Sequence, residues 1–200
     1  EFMETLGQVS DVYINCAFGC SHRVTKSVKM LPQIMRDQGK LAVAGSLLYE
    51  EIKQIGDFGR RILEHPEKTI LIAGGAKISD KIGILKQFVN TKIQRIFLGG
   101  KMVNAFHLAK QYKNKIETLT AQDIPAKLSS EDDATNQNLL KEISLAHEIL
   151  SLAEKNNVLI EFPLDFKIVT EYEQTTYQVS SVPDFNKELQ LDLGPKTIEY

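Results

Sequence analysis

The sequence predicts an α/β protein with a parallel sheet, and two repeated segments carry that prediction. Each is a short apolar run that ends in a glycine pair, TILIAGG at 69–75 and RIFLGG at 95–100, and each is followed by residues with helical spacing. A third apolar run lies in NNVLIEF at 156–162, after a long amphipathic stretch. Because strands that alternate with helices through short turns pair in parallel, we expect these three runs to be neighbours in one sheet.

Composition limits the class of protein and of partner. The 200 residues are 42% hydrophobic and 25% charged, with a formal net charge of -2. This is typical of a globular chain, and it gives no charge excess for nucleic acid or an anionic membrane. No apolar run approaches the roughly 20 residues that span a bilayer. The two cysteines, Cys16 and Cys20, favour ordinary thiols in a reducing cytoplasm, because a C-x3-C pair supplies too few ligands for structural zinc.

The strand-helix rhythm begins only near residue 65, so the chain divides into three pieces. Residues 1–45 hold one strand, at 11–18, and are interpreted as the remnant of a second α/β domain. Residues 46–64 show one apolar stripe on a long helix, which we interpret as a connecting helix. Residues 65–200 are interpreted as the first part of a Rossmann-like nucleotide-binding domain, with further strands in FKIVTEY at 166–172 and ELQLDL at 188–193.

The segment GGAKISDKI, which follows the first glycine pair, is the strongest candidate for an anion site. Ser79 is a plausible helix cap, and a helix that begins near Ile78 places Lys77 and Lys81 on one face at its N-terminus. Free N–H groups there favour a phosphate, and the two ammonium groups oppose the helix dipole unless an anion offsets them. The alternative is a solvated face on which Asp80 lies between the two lysines, and chemistry alone leaves the two interpretations even.

Other residues allow a functional or a purely structural interpretation. A glycine pair after a strand lets a base or phosphate approach the backbone, but turn geometry alone also explains it and is the favoured interpretation of the residues by themselves. Arg23 offers a planar fork for a phosphate or carboxylate, and the neighbouring His22 is more often a local hydrogen-bonding residue than a proton donor. Asp165, after a strand and a proline, is open to a ligand or belongs to a turn. The sequence contains no motif of a serine or cysteine nucleophile system.

Six segments, taken together and in order, resemble the phosphoglycerate kinase family. They are YINCAFGCSHR, AGSLLYEEI, LIAGGAKISDKIGIL, FLGGKMVNAF, EFPLDF and LDLGPKTIEY. GGAKISDKI is similar to the family's G-G-A-K-V-S-D-K-I, and LDLGPKTI to its L-D-I-G-P-K-T-I. The resemblance covers most of residues 10–200.

The resemblance implies two domains that flank a cleft, with residues 1–45 as a remnant of the N-terminal substrate domain. It implies a glycolytic, cytoplasmic enzyme that reversibly transfers a phosphoryl group between 1,3-bisphosphoglycerate and ADP, giving 3-phosphoglycerate and ATP, with Mg²⁺. Phosphoglycerate and the adenine nucleotide are then the partners, with no nucleic acid or membrane. Arg23 would hold the phosphoglycerate, Lys77 the transferring phosphoryl group and Lys81 the nucleotide phosphates. The nucleotide side would be lined by Gly74, Gly75, Gly99 and Gly100.

The sequence also departs from the family pattern. It resembles only the middle of the family's chain and lacks the D-F-N-V-P and G-G-G-D segments, so no Mg²⁺ ligands are identified. Cys16 and Cys20 replace Asp and Thr, and Lys101 and Gln190 stand where the family has glycine. A catalytically silent relative, which binds a nucleotide weakly or serves as an interaction module, is therefore the alternative. We expect the isolated chain to lack turnover and to self-associate through exposed edges.

Overall fold

A computed structural model describes residues 1–171 and 176–200 of the chain. The chain forms two compact units, residues 1–64 and 65–200. The last residue of the strand predicted at 166–172 lies outside the described residues. The helices are α1 (Phe2–Val9), α2 (Leu31–Asp37), α3 (Ser46–Glu64), α4 (Ile82–Asn90), α5 (Val103–Gln111), α6 (Asp133–Asn156) and α7 (Pro195–Glu199). The strands are β1 (Val12–Asn15), β2 (Leu41–Ala44), β3 (Ile70–Gly74), β4 (Arg95–Gly99), β5 (Leu159–Glu161), β6 (Phe166–Val169), β7 (Gln178–Ser180) and β8 (Leu189–Leu193).

The first unit contains a small parallel sheet that the sequence did not predict. The sequence predicted a single strand in this unit, at 11–18, but β1 pairs with β2 along four residues, from Val12↔Leu41 to Asn15↔Ala44. Neither β2 nor α1 was predicted. Lys40 joins the two, because its ammonium group donates to the carbonyl oxygens of Gly7, Gln8 and Ser10 at 2.6–2.9 Å. A cation at these last carbonyls of α1 satisfies acceptors that the helix leaves free.

The helix expected over residues 46–64 is confirmed with the same bounds. The parallel sheet of the second unit is confirmed as well. Its order is β3-β4-β5, all strands are parallel, and the register places Gly74 opposite Gly99. Helices α4 and α5 both pack against α6, and the fully buried side chains of the three helices include Leu85, Phe106 and Ile143. The second unit therefore has its own hydrophobic core beside the sheet.

A second, antiparallel sheet follows, which the alternating pattern did not predict. Its order is β7-β6-β8. The pairing of β6 with β8 changes from Lys167↔Asp192 to Ile168↔Gln190, so β8 has one extra residue at this point. Such a β-bulge bends the strand and re-aims neighbouring side chains.

The predicted start of the helix after β3 is wrong. Helix α4 begins at Ile82 with Lys81 as its N-cap residue, and the residues from 76 to 81 form turns. Ser79 therefore caps no helix. The apolar residue Ile78 fits the helical spacing because its side chain is completely buried, and not because it belongs to the helix.

The loops after β3 and β4 are in direct backbone contact at the carboxyl end of the sheet. Gly100 has a φ of 66°, and a Cβ atom built on it would lie 2.8 Å from the backbone nitrogen of Gly75. Gly75 has a φ of 150°, and its carbonyl oxygen accepts a hydrogen bond of 2.9 Å from Met102 N–H. Both glycines are therefore required by the backbone geometry itself.

Apolar side chains remain exposed on the small sheet of the first unit, namely Val12, Ile14, Leu41 and Val43. A contiguous apolar face favours association with another surface. The expected self-association stays a prediction that this face supports. Within the described residues, no helix is both long enough and apolar enough to cross a membrane.

His107 on α5 lies among aromatic rings in the core of the second unit. Its ring centroid is 5.0 Å from that of Phe162 and 5.6 Å from that of Phe166, and its Nε2 atom has no hydrogen-bond partner among the described residues. Burial, and secondly the charge of Lys110, lowers the pKa of His107 to about 4. In the unfolded chain His107 therefore binds a proton near pH 6.5, whereas in the folded chain it does so only near pH 4.

We predict that this histidine makes the chain less stable in acid. The free energy of unfolding should be highest above pH 6.5 and should fall as the pH drops from about 6.5 to about 4, because only the unfolded state is then protonated. Urea unfolding across this range measures the slope. His107→Leu should flatten it, whereas His65→Gln, at an exposed position, should leave it unchanged. An equal slope in parent and His107→Leu would contradict the assignment.

We predict that Gly100→Ala destabilises the second unit by about 2–4 kcal/mol, because the new Cβ meets the Gly75 backbone and the left-handed conformation disfavours alanine. Gly99→Ala is the matched control, since no atom lies within 4 Å of a Cβ built there and its φ is not positive. Thermal and urea unfolding of the two variants make the comparison. Similar losses in both would show that the close approach is not the cause.

Candidate functional site

The candidate site of the second unit lies where β3 and β4 end. Without a side chain on Gly75, Lys81 folds back over the strand end. A Cβ atom on this glycine would lie 2.9 Å from Lys81 Cε and 3.3 Å from Lys81 Nζ. The structure therefore brings the Lys81 ammonium group to the glycine turn.

Lys77 and Lys81 do not lie on one face of a helix, and this prediction is wrong. Lys77 is exposed in the turn before α4, and Lys81 is the half-buried N-cap residue. Among the described residues, neither lysine forms an ion pair or a side-chain hydrogen bond, and neither pairs with Asp80. Both ammonium groups are therefore free to bind an anion.

The turn between the two lysines already binds a carboxylate. Glu142 of α6 accepts hydrogen bonds from the N–H groups of Ile78 and Ser79, the latter at 3.2 Å to each carboxylate oxygen. The free N–H groups that the sequence assigned to an anionic ligand are thus satisfied by the chain itself. Sequence reasoning missed Glu142 because it lies 64 residues beyond Ile78, on another helix.

A cavity of about 340 Å³ lies beside this turn in the second unit. The loop after β3, the start of α5, helix α6 and strand β8 all contribute to its wall, which is mainly apolar. Its charged and amide side chains are Lys101, Asn104, Lys127, Glu142 and Gln190. Small-molecule sites have volumes of about 300–1,000 Å³, so the cavity is large enough for a planar ring. Lys101 and Gln190, the two departures from glycine, both line it.

The candidate site of the first unit is a cationic cavity of about 300 Å³. Arg23 lines it together with His22, Lys29 and Arg36. The Arg23 side chain is exposed and has no ion pair among the described residues. Sequence reasoning selected Arg23 and missed Lys29 and Arg36, which helical winding brings to the same cavity. Several cations around one concave surface favour a small anionic ligand.

Asp165 belongs to the fold and not to a ligand site. It is 3% exposed, and its carboxylate accepts hydrogen bonds from the N–H groups of Lys196 and Thr197 and from Thr197 Oγ1 at 2.8–3.1 Å. Desolvation raises the pKa of Asp165, but these hydrogen bonds and the Lys196 charge outweigh it, so the pKa lies below its ordinary value. A Cβ atom on Gly194 would lie 2.3 Å from Asp165 Cγ, which explains the glycine there.

A set of metal ligands is not found in the part of the chain that the structure describes. No group of three or more His, Cys, Asp or Glu side chains is close enough there to hold an ion. Cys16 and Cys20 are free and exposed.

Comparison with known proteins identifies the family. The phosphoglycerate kinase family model matches residues 1–200. The chain is similar to the phosphoglycerate kinases of Dictyoglomus turgidum, at 33% identity over 202 residues, and Lactobacillus gasseri, at 36% over 202 residues. Each alignment covers 100% of this chain but 44% and 42% of the relative. The chain therefore spans less than half the length of these relatives.

Solved structures agree on the fold. The phosphoglycerate kinase from Coxiella burnetii superposes with a TM-score of 0.66 at 24% identity, over 98% of this chain and 44% of that one. The enzyme from Pyrococcus horikoshii gives 0.66 at 22% identity, over 99% and 45%. The match to the family model along the whole chain, with the same mixed α/β fold, shows that the chain belongs to the phosphoglycerate kinase family.

Proposed function

We propose that this chain is part of a phosphoglycerate kinase, which reversibly transfers a phosphoryl group between 1,3-bisphosphoglycerate and ADP to give 3-phosphoglycerate and ATP. The observation that carries the proposal is that each unit has cations without a protein partner among the described residues, at the glycine turn in the second unit and in the cationic cavity in the first. They are Lys77 and Lys81 in the second unit and Arg23 in the first. The reaction has two polyanionic substrates, and each needs such a surface.

In the second unit, Lys81 binds the nucleotide phosphates. Its ammonium group lies over the Gly75 backbone, and the glycine ends of β3 and β4 carry no side chains that would keep a phosphate away. Gly74 and Gly99 complete this surface, together with Gly100. Lys77 is exposed and has no ion pair among the described residues, so its ammonium group is available to the transferring phosphoryl group. Phosphoryl transfer depends mainly on positioning and on cations that neutralise the equatorial oxygens.

In the first unit, Arg23 holds the phosphoglycerate. This substrate carries a phosphate and a carboxylate, and a guanidinium group pairs with either through two parallel hydrogen bonds. Lys29 and Arg36 add charge to the same cavity. They therefore raise the affinity for a small molecule with several negative charges, and high salt should lower it.

A second candidate is a relative that binds a nucleotide without turnover. Lys101 and Gln190 favour it, because both place a long side chain in the cavity where the family pattern has glycine. A coupled assay of phosphoryl transfer discriminates between the two candidates, since binding alone gives no product.

We predict that Lys81→Ala weakens ADP binding about 10- to 100-fold, because hydrogen bonds to a charged group contribute about 1.5–3 kcal/mol. Lys155→Ala is the matched control. It removes one exposed lysine near the end of α6, about 20 Å along the helix from Glu142. Calorimetric titration of the 200-residue chain at low and high salt measures both. If the double variant Lys77→Ala/Lys81→Ala binds ADP as tightly as the parent does, the assignment of these two lysines to a phosphate site is wrong.

We predict that Lys77→Ala acts on turnover more than on binding. A cation that contacts the transferring group is bound more tightly in the transition state than in the ground state, so its loss lowers kcat with little change in KM. Steady-state kinetics of the whole active protein, with and without this substitution, measures the changes in kcat and KM separately. An increase in KM at unchanged kcat would instead assign Lys77 to substrate binding.

A further inference from the structure

A series of hydrogen bonds connects Glu142 to the backbone of Lys81. The Glu142 carboxylate accepts hydrogen bonds from the N–H groups of Ile78 and Ser79. Hydrogen bonds to an ionised carboxylate are about twice as strong as those between neutral groups. The carbonyl oxygen of Ile78 accepts a hydrogen bond of 2.8 Å from Lys81 N–H and closes the turn. The position of Lys81 therefore depends on a side chain of another helix.

Helix α6 holds Glu142 in a fixed place. The next residue, Ile143, is 1% exposed, and Ala146 one turn later is completely buried, so this part of the helix is packed into the core. The side chain of Ile78 is also completely buried. The turn is therefore attached to the core at two points, through the Ile78 side chain and through the Glu142 carboxylate.

The charge of Glu142 by itself opposes the binding of a phosphate beside this turn, because like charges repel. Any favourable effect of Glu142 on binding is therefore conformational. Without its hydrogen bonds the turn is free to open, and the Lys81 ammonium group then spends less time over the Gly75 backbone, where the structure places it. The apparent affinity for a ligand falls by the fraction of molecules that hold the binding conformation.

We propose that Glu142 is a positioning residue, which holds the turn after β3 in the conformation that keeps the Lys81 ammonium group at the glycine ends of β3 and β4. The inference rests on the proposed function, since it takes Lys81 to bind the nucleotide phosphates. Glu142 acts through the N–H groups of Ile78 and Ser79, which are its hydrogen-bond donors, and not through contact with the nucleotide.

Two substitutions separate the hydrogen bonds of Glu142 from its charge. One carboxylate oxygen, Oε2, accepts from both N–H groups, so the amide oxygen of Glu142→Gln is able to replace it. Glu142→Leu has a similar size and no acceptor, and both variants lack the charge. In calorimetric titrations of the 200-residue chain, Glu142→Leu should bind ADP about tenfold more weakly than Glu142→Gln, if its turn holds the observed conformation for about a tenth of the time.

Equal affinities of Glu142→Gln and Glu142→Leu, or tighter binding by Glu142→Leu, would overturn the proposal. Thermal unfolding of each variant sets a titration temperature at which all are folded, so that a loss of stability is not mistaken for a loss of affinity. Glu148→Leu is the matched control. It removes an exposed carboxylate of the same helix, which pairs with Lys86, and it should keep the parental affinity.

A double-mutant cycle with Lys81→Ala tests whether Glu142 acts through this lysine. When Lys81 is absent, Glu142→Gln and Glu142→Leu should bind ADP with affinities within about twofold of each other, because the turn no longer places an ammonium group. A purely structural role of Glu142 would give the same ratio of affinities with and without Lys81, and that result would contradict the proposal.

Hydrogen exchange of the Ile78 and Ser79 amides tests the turn without any ligand. Exchange should be slow in the parent and in Glu142→Gln and faster in Glu142→Leu. Equally slow exchange in Glu142→Leu would show that Glu142 does not hold the turn, and the inference would fail while nucleotide binding stands. If the parent does not bind ADP, or if Lys81→Ala binds it as tightly as the parent does, the proposed phosphate site fails and this inference fails with it.

Discussion

The arrangement of the second unit depends on the backbone contact between Gly75 and Gly100. Parallel strands end at the same edge of a sheet, and the register of β3 with β4 places their glycine pairs side by side. With no Cβ on either residue, the two loops approach until a Cβ on Gly100 would lie 2.8 Å from Gly75 N. This approach permits the Met102 hydrogen bond to Gly75 that begins α5, and it leaves the space that Lys81 occupies.

A second constraint joins two segments that are about 30 residues apart. Asp165 caps the first turn of α7, and its carboxylate occupies the space that a side chain at position 194 would need. The EFPLDF and LDLGPKTIEY segments are therefore parts of one contact. Burial and three donors tie this carboxylate to the fold, which favours the turn among the alternatives that the sequence left open for Asp165.

Glu142 shows why the start of α4 was mispredicted. Apolar spacing reports which side chains are buried, and Ile78 is buried in a turn whose N–H groups bind the Glu142 carboxylate. A helix is one way to satisfy those N–H groups, and a carboxylate from another helix is a second way. The proposed anion site nevertheless keeps two lysines without an ion pair among the described residues, because Glu142 contacts the backbone of the turn and neither ammonium group.

The sequence by itself determined the strands near 70–74, 95–99 and 159–161, their parallel order, the helix over 46–64, the cationic residues and the family. These follow from patterns within a few residues of each other, since apolar runs, glycine pairs and helical stripes are local. Only the tertiary structure decided the pairing of β1 with β2 and the antiparallel sheet of β6, β7 and β8. It alone showed the partners of Glu142 and Asp165 and the unpaired oxygens of Asn104 and Gln190. These contacts join atoms that are tens of residues apart in the sequence. Packing decides whether a buried polar atom has a hydrogen-bond partner, and packing leaves no periodic signal in the sequence.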